Sequence, residues 1–130
     1  MASKPAERTR ADYRKEFGLD CADEFFDRIH ELELIVAKRG WLLRKQFNSN
    51  WCAFKASSNR AAFGIAIDRG TRDIYLYIKR VKPLVGAFPE VMRRYHEVHD
   101  QAEYFLKPGM ELESFMPLFE LAHRRSPAGM

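Results

Sequence analysis

The hydrophobic period of this chain changes at Gly40, and that change decides what it can fold into. In "CADEFFDRIHELELIVAKRG" (21–40), Phe25, Ile29, Leu32 and Val36 recur at i, i+4, i+7 and i+11. That spacing puts them on one stripe of a helix, which Phe26 widens. Asp20 is the expected N-cap, and Asp23, Glu24 and Asp27 favour the positive end of the helix dipole. Lys38 and Arg39 close the last turn, and Gly40 suits the left-handed residue that ends it.

Beyond Gly40 the period is two. "WLLRKQF" (41–47), "WCAFKA" (51–56), "AAFGIAID" (61–68) and "DIYLYIKR" (73–80) are separated by short Asn-, Ser- and Gly-containing turns. Four such runs predict successive antiparallel hairpins, a meander. Phe63, Ile65 and Ile67 match Ile74, Leu76 and Ile78 as the buried face. The other face carries Ala62, Gly64 and Ala66 on one strand and Tyr75, Tyr77 and Lys79 on the next.

After Arg80 the pattern breaks at Pro83, Gly86 and Pro89. A short helix is expected from about Pro89, with Phe88, Val91, Met92 and Tyr95 on its apolar side. "AEYFLK" (102–107) is a candidate fifth strand. The last run, "MELESFMPLFELAHRR", gives a helical stripe of Leu112, Phe115, Phe119 and Ala122. Pro117 requires that helix to start just before it, with Ser114 as N-cap, or to kink, because an interior proline costs about 3 kcal/mol.

The expected fold is therefore α+β. It is a two-layer sandwich in which a four- to five-stranded, mainly antiparallel sheet carries an N-terminal and a C-terminal helix on one face. At 130 residues the chain has the size of one domain, expected over 13–125, with disordered tails at 1–12 and 126–130. A hydrophobic fraction of 46% excludes a wholly disordered chain. The net charge of +4, with both signs spread along the chain, permits an acidic partner without demanding one. "MASKPAERTRADYRKEF" has no apolar core of a signal peptide, and no apolar run approaches the ~20 residues of a membrane span. A soluble, cytoplasmic protein with no membrane partner is expected. Cys21 and Cys52 have no metal or redox spacing and are expected as free thiols.

Several stretches carry residues of catalytic or metal-binding type. "HEVHD" (96–100) is one residue short of the HExxH zinc motif; its histidines stand at i and i+3, and only carboxylates could add a third ligand, so a polar helix end is the simpler reading. Cys52 and the serines of "SSN" (57–59) lack any nucleophile elbow, and no phosphate or dinucleotide loop is present, so no catalytic residue, metal or cofactor is assigned. What remains is Tyr75, Tyr77 and Lys79, with Trp51 and Lys55 from a neighbouring strand. Rings set among cations on an open sheet face stack bases and take phosphates in modules that bind single-stranded nucleic acid. Tyrosines also occupy strands for packing alone, or mediate self-association.

The order of elements, with "AAFGIAI", "DIYLYIKR", "AEYFLK" and "SFMPLFELAHRR", resembles a group of small uncharacterised bacterial α+β domains over about residues 22–125. Those domains stand alone or are appended to predicted nuclease-like or "predicted transport" proteins. The resemblance implies an accessory domain, and it carries over no functional residue. The first functional expectation is a non-catalytic binding module using the open sheet face, with nucleic acid as candidate partner. The second is a homodimer formed through that face. The third is a small-molecule binder or enzyme with a site near 81–101.

Overall fold

The computed structural model describes residues 7–126. Its first helix, α1 (Arg10–Phe17), begins inside the segment expected as a tail; residues 1–6 and 127–130 lie outside the described residues. A capping box starts it: the Thr9 hydroxyl accepts from the Asp12 N–H, and the Asp12 carboxylate accepts from the Thr9 N–H at 2.8 Å. Tyr13 and Phe17 are its buried residues, and the Tyr13 hydroxyl donates to the Asn48 carbonyl.

Helix α2 (Leu19–Arg39) follows directly. Its N-cap is Gly18 rather than Asp20, which falls in the first turn. Phe25, Ile29, Leu32 and Val36 are all buried, and Gly40 ends the helix in the left-handed conformation at φ 69°.

The meander is β1 (Arg44–Phe47), β2 (Trp51–Lys55), β3 (Ala61–Ile67) and β4 (Ile74–Lys79). Two further strands complete the sheet, β5 (Met92–His96) and β6 (Gln101–Phe105). The order is β1-β2-β3-β4-β6-β5, and every pairing is antiparallel.

The expected helix from Pro89 is corrected here. Pro89–Val91 is a single 3₁₀ turn, and Met92–His96 is a strand at the sheet edge. Its alternation is hidden in the sequence because a bulge between Met92 and Arg94 inserts Arg93. "HEVHD" is accordingly a strand end plus a hairpin turn, not a helix end.

A further 3₁₀ stretch (Leu112–Phe115) runs into α3 (Met116–Arg124), with Pro117 in its first turn and Phe115, not Ser114, at the N-cap. Helices α2 and α3 both pack on β3 and β4. They bury Phe63, Ile65, Ile67, Ile74, Leu76 and Ile78, each at most 3% exposed. Arg28 of α2 ties the segment after β6 to this layer, donating to the Lys107 and Met110 carbonyls at 2.9 and 2.5 Å. Cys52 is buried in the same core and Cys21 is half-buried; neither is in a disulfide.

On the opposite face, Tyr77 lies across Gly64, its register partner. A Cβ at position 64 would stand 2.3 Å from the Cys52 carbonyl oxygen and 2.5 Å from the Tyr77 ring. Backbone blocks it on one side and a fixed ring on the other. Gly64→Ala is therefore expected to lower the unfolding free energy by about 1–3 kcal/mol. Urea denaturation reads this directly, and an unchanged midpoint would show that the strands separate at no cost.

Candidate binding concavity on the sheet face

The register arranges the face opposite the helices in rows. Trp51, Ala66 and Tyr75 stand side by side on β2, β3 and β4. The next row is Ala53, Gly64, Tyr77, Glu103 and Arg94, running from β2 to β5. The third holds Lys79, Gln101 and His96. Small residues on β2 and β3 beside large ones on β4, β5 and β6 make a depression. It has a volume of about 400 Å³, and no helical residue lines it.

Of the residues singled out in the sequence, Trp51, Tyr75, Tyr77 and Lys79 line this concavity. Lys55 does not: it lies past a bulge in β2, paired with Ala61. Tyr77 is the floor and is only 6% exposed, whereas Trp51 at 37% offers the accessible ring. Arg93 covers one face of Tyr75, its guanidinium 4.3 Å from the ring centroid. The face is thus a pocket with a buried aromatic floor, not a flat platform.

Its far wall comes from Arg94, Gln101 and Glu103, which the sequence reading missed, and from His96, which the sequence singles out only as a candidate metal ligand. Period-two alternation in "QAEYF" could have revealed Gln101 and Glu103, because Ala102 and Tyr104 face the core. Glu103 is 1% exposed and fully engaged. Oε1 accepts from Arg94 Nε at 2.9 Å and from Arg93. Oε2 accepts from Gln101 at 2.7 Å and lies 3.2 Å from His96 Nε2. The bulge lets two consecutive arginines reach one carboxylate. Arg93 also bridges to Asp68 at 2.6 Å, in the turn between β3 and β4.

These contacts set the protonation states. Burial pushes the Glu103 carboxyl up, but the Arg94 and Gln101 hydrogen bonds and the arginine charges outweigh it and hold it below the usual range. The Arg93 hydrogen bond, with the Thr71 and Gly70 amides, lowers Asp68 to about 2. Burial raises both Tyr75 and Tyr77, so their hydroxyls stay protonated. Burial, then repulsion from Arg80, lowers Lys79.

Nucleophilic and metal readings find no support. Cys52 is on the helix side of the sheet, and burial pushes its thiol up to about 12. The His96 and His99 rings are 6.3 Å apart, and among the described residues no group of three His, Cys, Asp or Glu side chains is placed to hold a metal. No described helix is long and apolar enough to cross a membrane. No family model matches the chain, and no curated protein or solved structure is significantly similar to it.

The ion cluster makes an acid-stability prediction. Asp68 and Glu103 titrate lower folded than unfolded, so their contribution is complete above their unfolded values, about 4, and is lost as pH falls through the folded ones. For Asp68 that window runs from 3.8 to about 2. Arg93→Met should be less stable than wild type at neutral pH, with the gap closing as pH falls to about 2. Thermal melts across this range read the gap, and a gap of constant size rules the account out.

Proposed function

We propose that this protein is a non-catalytic binding module whose ligand seats in the concavity on the sheet face away from the helices. The observation that carries this is the pocket itself. Trp51 of β2 and Tyr75, Tyr77 and Lys79 of β4 line it together, in a volume of about 400 Å³, within the roughly 300–1,000 Å³ typical of ligand sites. Core packing explains the Ile-Leu-Ile face of β4 completely, and it leaves the Tyr-Tyr-Lys face without a helix to bury it. An accessible indole and a lysine unpaired among the described residues, at separate places in one concavity, support single-stranded nucleic acid as the partner class, with a base on the ring and a phosphate on the cation.

The concavity bears on the alternative of a homodimer through the same face. A two-fold interface sets a patch against its own copy. Two depressions facing each other would enclose empty space where a dimer needs close packing. A ligand fills such a shape better than a second copy does.

Amide chemical-shift titration with short oligouridylate and oligothymidylate tests the reading. Shifts are expected at Trp51, Tyr75, Tyr77, Lys79 and Gln101. No shifts, or shifts confined to α2 and α3, would remove it. Light scattering at high protein concentration is expected to return the monomer mass, and a dimer mass abolished by Trp51→Arg would favour the alternative.

A further inference from the structure

The donors and acceptors lining the concavity are unequally spent. Both Glu103 oxygens are taken, and the Gln101 carbonyl oxygen accepts from Lys79 Nζ at 3.3 Å. Asn50 is likewise engaged: its amide donates to the Ile67 carbonyl at 2.9 Å, and its side-chain oxygen accepts from Ser49. The groups left over are rich in donors. Among the described residues, the Trp51 indole N–H and the Tyr75 and Tyr77 hydroxyls make no hydrogen bond, and Arg94 uses only its Nε. With its carboxylate and amide oxygens spent and its indole and guanidinium donors free, the pocket fits a ligand that presents acceptors, and the two hydroxyls can donate to it as well.

Charge points the same way. Arg93 and Arg94 are offset by Glu103 and Asp68. Lys79 is half-buried, and no described carboxylate lies within 4.0 Å of its ammonium. Its one polar partner is the neutral Gln101. Asp100 and Glu103 attract it only from beyond that distance, and a bound anion would supply the direct contact that is missing. Burial already holds Lys79 below its ordinary range, as expected of such a cation.

The two ends differ. The accessible ring, Trp51, stands in the Tyr75 row. Lys79 stands two strands across from it and four residues along, about 16 Å away between backbones at strand spacing, a gap that the two long side chains narrow, and it lies next to Gln101 and His96. We infer that the concavity takes one nucleotide unit, its base against Trp51 and its phosphate at Lys79, with the free Arg94 nitrogens beside it. This rests on the concavity being a binding site, and it adds the ligand's class and direction. A free mononucleotide and a nucleotide within a single strand share this chemistry.

Calorimetric titration of the full chain decides it, using 5′-UMP, 5′-AMP, uridine, adenosine, inorganic phosphate, and a short oligouridylate. The monophosphates should bind about tenfold or more tighter than the nucleosides, the share expected of a charge-assisted contact. Lys79→Gln should remove that advantage and leave nucleoside binding unchanged, whereas Trp51→Ala should weaken both. Monophosphate affinity should also fall as salt rises. An oligouridylate no tighter than 5′-UMP identifies the free nucleotide as the source; a tighter one identifies the strand. Monophosphate and nucleoside binding equally, in wild type and in Lys79→Gln, would overturn the inference while leaving the binding module standing. If no nucleotide or oligonucleotide binds and the chemical-shift titration is silent, both readings fall together.

Discussion

Burying a carboxylate is the costly step in this fold, and the arrangement around Glu103 answers it. An ionised group taken out of water must be paired and hydrogen-bonded, or it protonates. Glu103 is placed on the second-from-edge strand, at the level of Tyr77, with no solvent to serve it. Arg94 alone would leave one oxygen half-satisfied. The bulge at Arg93 brings a second guanidinium to the same carboxylate, and that guanidinium continues to Asp68 in the turn between β3 and β4. One buried charge therefore joins the edge hairpin to the centre of the sheet. The wall of the concavity stands because of it.

The opposite side of the depression is made by absence of side chains. Ala53, Gly64 and Ala66 give β2 and β3 almost no relief, and Tyr77 lies down across Gly64 where any Cβ would collide with it. A ring laid over a glycine both covers the exposed backbone and removes itself from the roster of stacking surfaces. The aromatic character of the site thus divides into a floor, Tyr77, and an accessible ring, Trp51. The distinction separates residues that shape the pocket from residues that can touch its contents.

The layers of this fold were legible in the sequence because they rest on period. The α2 stripe and the paired Phe-Ile-Ile and Ile-Leu-Ile faces are repeated local signals, and burial honours every one of them. Helix α1 escaped because its two apolar contacts, Tyr13 and Phe17, are sparse among charges; the Thr9–Asp12 capping pair was its legible mark. Strand β5 escaped because a bulge breaks its alternation and an edge strand needs few apolar residues. The site was half legible for the same reason. Tyr75, Tyr77 and Lys79 lie on a strand whose faces can be read off directly, and the face of Glu103 follows from local alternation too; that Arg94 and His96 stand beside it depends on which strand pairs with which, a long-range fact no local pattern contains.

The strand order has a consequence for motion. Strand β5 is hydrogen-bonded to β6 alone, and β6 joins the meander only through β4. The hairpin is the natural unit of sub-global opening, and its detachment breaks the β4–β6 pairing, the Arg93–Asp68 bridge and the Lys79–Gln101 bond and uncovers Ala102 and Tyr104. The pocket straddles that seam, with Trp51 on one side and Arg94 on the other. A ligand of the proposed kind would span both parts, and its residence time would follow how often the hairpin opens.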